Sequence, residues 1–254
     1  MPKSSPDLRR VTALLVASAL AAGLAACGGG NRYQGMEADQ IFRIASTEYE
    51  EGEYANAIDA LDRLLVAHGD WERVAEARLM LAEAYFAKGD HLTARSEFGR
   101  FLDRYAGHPR SAEAALGICR SLAAMAPKPQ RDQGYTQEAM TSCRNVVVDF
   151  GGRDEAAQAA SISNQLRQTL AEKEYLTGDF YFRRNLFDSA IKYYEFVINL
   201  YPESDFAPSA LLGVYRANLL IGYEDLAEEA RQRLLLEYPD SDAAAEVRLD
   251  ASGR

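Results

Sequence analysis

A short pattern recurs five times along this 254-residue chain and constrains its fold more than any other feature. In each copy a glycine or an asparagine precedes an alanine by five residues. Alternating runs of β-branched residues are nearly absent, and apolar residues recur at intervals of three and four. The sequence therefore predicts an all-α protein built from repeated helical units. The five alanines, separated by 37, 45, 51 and 37 residues, are Ala57, Ala94, Ala139, Ala190 and Ala227.

Each position of the pattern has a physical reason. The glycine or asparagine ends the first helix of a unit, where the backbone often becomes left-handed. The small alanine lets the second helix approach the first closely, and a larger apolar residue four positions later (Leu61, Phe98 or Tyr194) fills the space beside it. Two units close with Tyr-Pro-x-Ser, at residues 201–204 and 238–241. The pattern resembles the tetratricopeptide repeat, which implies a superhelix of about five helix pairs with a concave face that binds partners.

The spacing of the pattern also predicts the bounds of the repeats. A Pro-Lys-Pro segment at residues 127–129 interrupts the third repeat, because proline cannot continue a helix. The first helix of the fourth repeat is predicted to be unusually long, from residue 154 to residue 184. The repeats are expected at residues 36–69, 70–107, 108–152, 154–201 and 203–238, followed by a short helix over 241–249.

The first 27 residues have the features of an export signal with a lipid attachment site. Three basic side chains against one acidic one are followed by a 16-residue apolar run, shorter than the roughly 20 residues of a membrane-spanning helix. The run ends in Leu-Ala-Ala-Cys, which resembles the bacterial lipobox. We expect a signal peptide over residues 1–26, lipidation at Cys27, a flexible tether over 27–36 and a repeat domain over 37–254. An ordinary cleaved signal and a single membrane anchor are the alternatives.

Charge and motif content exclude several classes of function. The chain has a net charge of −10, and because its first 26 residues carry +2, the remainder carries −12. Such a chain lacks the basic face that nucleic acids require. The three histidines are far apart, and the sequence contains no phosphate loop, no nucleophile motif and no metal-binding spacing. The sequence therefore predicts a protein that is not an enzyme and that binds no cofactor, metal or nucleic acid.

Cys119 and Cys143 are the two cysteines outside the lipobox, and two interpretations of them stay open. An oxidising compartment would permit a disulfide between them. Free cysteines are also commonly buried as small apolar side chains. The second interpretation is slightly favoured, because the sequence does not show whether the two side chains face each other.

The first helix of each repeat is expected to line the binding groove. Aromatic and aliphatic side chains at these positions would suit an extended peptide with apolar side chains. An alternative for Phe42 and Leu79 is that they only seal neighbouring helices. The candidate partner-binding residues are Phe42, Ser46, Tyr49, Leu79, Glu83, Phe86, Tyr175, Asp179 and Phe182.

Three segments of the repeat region, together with the lipobox, resemble a particular family. They are Ile41-Phe42-x-x-Ala45 before the first repeat turn, Arg131-Asp132 before the second helix of the third repeat, and Leu170-Ala171-x-x-Glu174-Tyr175 on the long helix. The family is that of the BamD (ComL-type) lipoproteins of the outer-membrane β-barrel assembly machine.

This resemblance implies a non-catalytic scaffold that is lipid-anchored on the periplasmic face of the outer membrane. Its later repeats would bind a BamA-like barrel subunit and other subunits of the machine, and its early repeats would receive targeting peptides of unfolded outer-membrane proteins. Gly28 after the cysteine favours the outer membrane, since aspartate at that position favours retention in the inner membrane. The alternative is a periplasmic repeat lipoprotein that coordinates another envelope complex, either Tol-associated or for pilus assembly.

Overall fold

A computed structural model describes residues 32–252, and within that range it contains eleven α-helices and no β-strand. The all-α fold class predicted from the repeat pattern is confirmed. The predicted signal peptide, Cys27 and the glycines at 28–30 lie outside the described residues. The helices are α1 (Ala38–Glu50), α2 (Tyr54–Ala67), α3 (Val74–Ala87), α4 (His91–Tyr105), α5 (Ser111–Ala124), α6 (Gly134–Asp149), α7 (Asp154–Phe182), α8 (Phe187–Leu200), α9 (Ala207–Ile221), α10 (Glu224–Glu237) and α11 (Asp242–Ser252).

The described residues divide into two compact units, residues 32–74 and 75–252. In the first unit, α1 and α2 pack against each other as one helix pair. Ile41 and Ala45 of α1 and Leu61 and Leu64 of α2 are buried apolar side chains of this pair. Gly52 in the connection has a φ of 82°, in the left-handed region that glycine adopts without steric cost. The glycine of the repeat pattern therefore has the turn role that the sequence predicted for it.

The first unit begins earlier in the chain than the predicted tether boundary. Tyr33 is only 5% exposed, and Arg32 forms an ion pair with Glu48 of α1 at 2.9 Å. The Met36 carbonyl oxygen lies 3.1 Å from Nε2 of His68, directly after α2. The expectation that residues 32–36 belong to a flexible tether is therefore wrong, because these contacts attach the segment to the first helix pair.

In the second unit the helices form consecutive pairs. The pairs are α3–α4, α5–α6, α7–α8 and α9–α10, and α11 packs against the last of them. The first helix of a pair also contacts the first helix of the next pair, as α5 contacts α7, α7 contacts α9, and α9 contacts α11. This succession is a tetratricopeptide-like arrangement, and it confirms the repeated helix pairs predicted from the alanine spacing. No described helix is both long and apolar enough to cross a membrane.

Large aromatic side chains of the second helices fill space that glycines leave on the first helices. Tyr194 of α8 is 2% exposed and lies between Gly178 of α7 and Gly213 of α9. A Cβ atom at these glycines would lie 2.7 Å and 2.5 Å from the Tyr194 ring. Phe98 of α4 lies in the same way against Gly117 of α5, where a Cβ would be 2.5 Å from the ring. The Tyr194 ring on α8 therefore packs against α7 and α9 at the same time and holds the three helices together.

The third repeat is held together by a covalent bond. Cys119 of α5 and Cys143 of α6 are fully buried and form a disulfide, with their Cα atoms 4.9 Å apart. The slight preference for two free cysteines is therefore wrong. Packing of α5 against α6 places the two side chains face to face, which their separation of 24 residues along the chain does not reveal.

Candidate partner-binding surfaces

The first helix of the first unit carries three of the predicted binding residues. Phe42 is only 7% exposed, because its ring packs against Trp71 at 5.2 Å and the Arg73 guanidinium covers it at 4.7 Å. Phe42 therefore makes packing contacts with neighbouring residues, and little of its ring is exposed for a partner. Ser46 and Tyr49 are half-buried; the Ser46 hydroxyl donates to the Phe42 carbonyl, and the Tyr49 ring meets Tyr54 edge-on at 5.5 Å.

The first helix of the second repeat places one predicted residue in the core and two at the surface. Leu79 of α3 is fully buried in a cluster with Phe98 and Phe101 of α4, so its side chain cannot contact a partner and that prediction is corrected. Glu83 and Phe86 lie one and two turns further along α3 and are half-buried. They remain available at the surface of the repeat.

An arginine from the next repeat completes this surface. The guanidinium of Arg120 on α5 forms an ion pair with Glu83 at 3.3 Å and covers the Phe86 ring at 4.2 Å. Burial raises the pKa of Glu83, and the charge of Arg120 partly opposes that increase. The sequence analysis missed Arg120, although its separation of 37 residues from Glu83 equals the spacing of two adjacent repeats. Glu83, Phe86 and Arg120 are called the repeat-two surface below.

The first helix of the fourth repeat holds its three predicted residues in an aromatic cluster. The Tyr175 ring lies 5.8 Å from Tyr194 and 5.6 Å from Phe206. Asp179 accepts a hydrogen bond of 2.8 Å from the Tyr194 hydroxyl, and burial with this bond raises the pKa of Tyr194. Phe182 meets the Phe187 ring edge-on at 5.4 Å. All three side chains are half-buried, so each combines a packing contact with an accessible edge.

A row of aromatic side chains on α7 and α8 was not predicted as a site. Phe180 is 44% exposed and meets Tyr181 edge-on, Tyr181 stacks on Tyr193 at 5.3 Å, and Tyr193 meets Phe196. The guanidinium of Arg184 lies 3.5 Å above the Phe180 ring. The dense aromatic content of residues 180–196 was visible in the sequence, but its arrangement depends on the pairing of α7 with α8. These four side chains are called the repeat-four aromatic row.

A shallow cavity of about 250 Å³ adjoins this row at Phe180. Its lining residues are Pro129, Gln130, Lys173, Leu176, Thr177 and Phe180. One wall is the interrupted segment of the third repeat, and the other is a stripe of α7 at helical spacing. Aromatic side chains such as Phe180 are enriched at protein–protein interfaces.

The consecutive helix pairs define an all-α protein of the tetratricopeptide-like repeat class. Within residues 32–252, no group of three or more histidine, cysteine or acidic side chains is arranged to hold a metal ion. Residues 34–235 match the family described as "YfiO: Outer membrane lipoprotein". The chain belongs to this outer membrane lipoprotein family, which is non-catalytic, and the predicted family resemblance is confirmed.

Named relatives extend over most of the chain. A protein of Aquifex aeolicus named "Putative outer membrane protein assembly factor BamD" is 26% identical over 226 residues, which are 84% of this chain and 73% of the relative. The "Outer membrane protein assembly factor BamD" of Caulobacter vibrioides is 24% identical over 88% of this chain and 74% of its own length. A solved complex of the yeast Sti1 TPR2AB domain with pHSP90 is 16% identical over 85% of this chain and 86% of its own, with a TM-score of 0.47.

Proposed function

We propose that this chain is a non-catalytic scaffold for the assembly of β-barrel proteins into the outer membrane. The observation that carries the proposal is the family match over residues 34–235, which runs from before α1 into α10 and thus includes all five helix pairs. The names of the two relatives support the same activity, since both are called outer membrane protein assembly factors.

The proposed location is the periplasmic face of the outer membrane, with a lipid on Cys27 as the anchor. Membership of an outer membrane lipoprotein family supports this location, and so does the Leu-Ala-Ala-Cys-Gly sequence. Residues 1–26 would then be the cleaved signal, and the repeat domain would begin within five residues of the lipidated cysteine, at Arg32.

Separate surfaces are proposed for two kinds of partner. The repeat-two surface of the second unit, and Ser46 and Tyr49 of the first unit taken by themselves, would contact targeting peptides of unfolded barrel proteins. An apolar ring beside an ion pair suits an extended peptide, because it offers both an apolar contact and hydrogen-bonding groups. The later repeats would bind a BamA-like subunit and other assembly-machine subunits through Tyr175, Asp179, Phe182 and the repeat-four aromatic row, whose exposed Phe180 is a suitable anchor.

The partner proposal is tested by recovering complexes from native membranes with an affinity-tagged chain. We expect a BamA-like barrel protein to be recovered, and Phe180→Ala to reduce its recovery by about tenfold, as loss of an anchor residue does at other interfaces. Leu236→Ala is the matched control, because Leu236 is an exposed apolar side chain on α10 outside the proposed surface. Recovery of Tol or pilus components without a barrel protein would favour the alternative envelope function.

The repeat-two surface is tested by peptide binding. We expect Phe86→Ala to weaken binding of an unfolded barrel protein's targeting peptide by about tenfold, because the half-buried ring offers an apolar face held by Arg120. Leu92→Ala, at an exposed position on α4, should leave affinity unchanged. Thermal melting of both variants checks that neither loses its fold. Equal affinities of the two variants would place the peptide site elsewhere on the chain.

A further inference from the structure

The third repeat differs from the other helix pairs in the length of its connection. Within residues 32–252, the connections inside the other four pairs contain two to four residues, whereas the connection from 125 to 133 contains nine. A longer connection constrains the pairing of two helices less, because the unfolded chain has more ways of separating them. The disulfide between Cys119 and Cys143 joins these same two helices. The cross-link therefore supplies a constraint that a short turn supplies in the other repeats.

The nine-residue connection is ordered by its own contacts and forms one wall of a cavity. Gln133 is buried, and its Nε2 donates to the carbonyls of Lys128 and Arg131 at 3.0 Å each. The Thr136 hydroxyl on α6 donates to Gln133 Oε1 at 2.7 Å, which ties the connection to the helix that Cys143 anchors. Because Pro129 lies in this connection and lines the cavity beside the repeat-four aromatic row, the position of α6 determines one wall of that cavity.

Both cysteines are inaccessible once the repeat has folded. They belong to an apolar cluster that includes Leu116 of α5, Val146 of α6 and Leu166 of α7. Exchange between thiols and disulfides requires access of an attacking thiolate to the sulfur. The bond must therefore form before α6 and α7 close over the two sulfur atoms, and the folded repeat shields it from reductants.

We infer that the unfolded chain is a substrate of a thiol–disulfide oxidase, an enzyme that carries a reactive disulfide in an oxidising compartment. The thiolate of one cysteine attacks the enzyme's disulfide, forming a mixed disulfide and releasing one enzyme thiol. The thiolate of the second cysteine then attacks the chain's sulfur in that mixed disulfide. The Cys119–Cys143 bond forms, the enzyme leaves as a dithiol, and two electrons and two protons have passed from the chain to the enzyme. This inference rests on the proposed export of the chain.

Cys27, the third cysteine, affects which disulfides can form in this reaction. The chain contains three cysteines, and three thiols would allow three different pairings. A lipid on the sulfur of Cys27 leaves two thiols and therefore one pairing. Lipidation before oxidation thus removes the two incorrect products, in addition to anchoring the chain.

The inference is tested by counting free thiols in the mature protein purified from membranes in detergent, with a maleimide mass tag applied after denaturation. We expect no tag on protein from cells with the oxidase and two tags on protein from cells without it. Reduced, unfolded protein should regain its disulfide under anaerobic conditions only when an oxidised dithiol enzyme is added. Two tags on the wild-type protein from normal cells, or none in the absence of the oxidase, would overturn the inference.

The thiol count also separates this inference from the proposed anchor. Protein that has been fully reduced should take two tags if Cys27 is lipidated and three if it is not. A count of three would contradict the lipid anchor while leaving the Cys119–Cys143 oxidation intact. A count of two with no dependence on the oxidase would contradict the oxidation while leaving the anchor intact.

The structural role of the bond is tested by limited trypsin digestion of a Cys119→Ala, Cys143→Ala double variant. We expect cleavage after the exposed Arg131 to accelerate by about tenfold or more, because the nine-residue connection loses its cross-link. Cleavage after the exposed Lys88, in the three-residue connection of the second repeat, is the internal control and should keep its rate. Equal acceleration at both sites, or at neither, would show that the disulfide does not fix the third repeat.

Discussion

Replacing Tyr194 by alanine is expected to lower the free energy of unfolding by about 3–5 kcal/mol, the cost of removing a large buried aromatic ring. The ring is almost fully buried and fills the space left by two glycines on different helices. Glycine at 178 and 213 has no side chain to move into the vacated volume, so a large part of the cavity should persist. The loss should therefore be near the upper end of that range.

Urea unfolding, followed by circular dichroism and by fluorescence in parallel, measures this effect. Tyr194→Phe is the matched control, because it keeps the ring and removes only the hydrogen bond to Asp179. That variant should lose about 0.5–1.5 kcal/mol, the usual net contribution of one hydrogen bond. Similar losses for the two variants would show that the hydroxyl, and not the ring, holds α7, α8 and α9 together.

Cys27→Ser is expected to transfer the protein almost completely from the membrane fraction to the soluble fraction. Each buried methylene of an acyl chain contributes about 0.8 kcal/mol to membrane binding, so loss of several chains removes nearly all of that affinity. Cell fractionation followed by immunoblotting measures the redistribution.

Two further measurements serve as controls for the Cys27→Ser experiment. Gly28→Asp keeps the lipidated cysteine, so the protein should remain membrane-bound but move to the inner-membrane fraction on density-gradient separation. A high-salt wash of the membranes distinguishes the lipid anchor from attachment through protein partners. Continued retention of Cys27→Ser after that wash would contradict the lipoprotein assignment.

The local pattern of the chain was sufficient to predict its helices and their pairing. The glycine or asparagine determines the backbone conformation at the turn, and the alanine five residues later lies near the start of the second helix. Such short-range steric effects can be read from consecutive residues. The helix predicted from 154 to 184 is observed as Asp154–Phe182. The left-handed conformations at Gly52, Gly89, Asn185 and Gly222 agree with the turn positions of the pattern.

The functional character of individual side chains could not be predicted in the same way. A helical position four residues from another predicts a shared face, but it does not reveal which neighbouring element covers that face. Phe42 was expected in the groove and is covered by Trp71 and Arg73, which follow it by about thirty residues. Leu79 was expected beside Glu83 at the surface and lies beneath α4 instead.

Periodicity predicted the all-α repeat fold from sequence alone, and the Leu-Ala-Ala-Cys tetrad with three repeat segments carried the resemblance to this lipoprotein family. Each of these signals lies in residues that are close together in the chain. The Cys119–Cys143 bond, the Glu83–Arg120 ion pair and the row of rings from Phe180 to Phe196 arise from the packing of separate helices. The distances between helices determine which residues meet in these contacts. Those distances depend on how the aromatic rings and glycines of the core pack against one another.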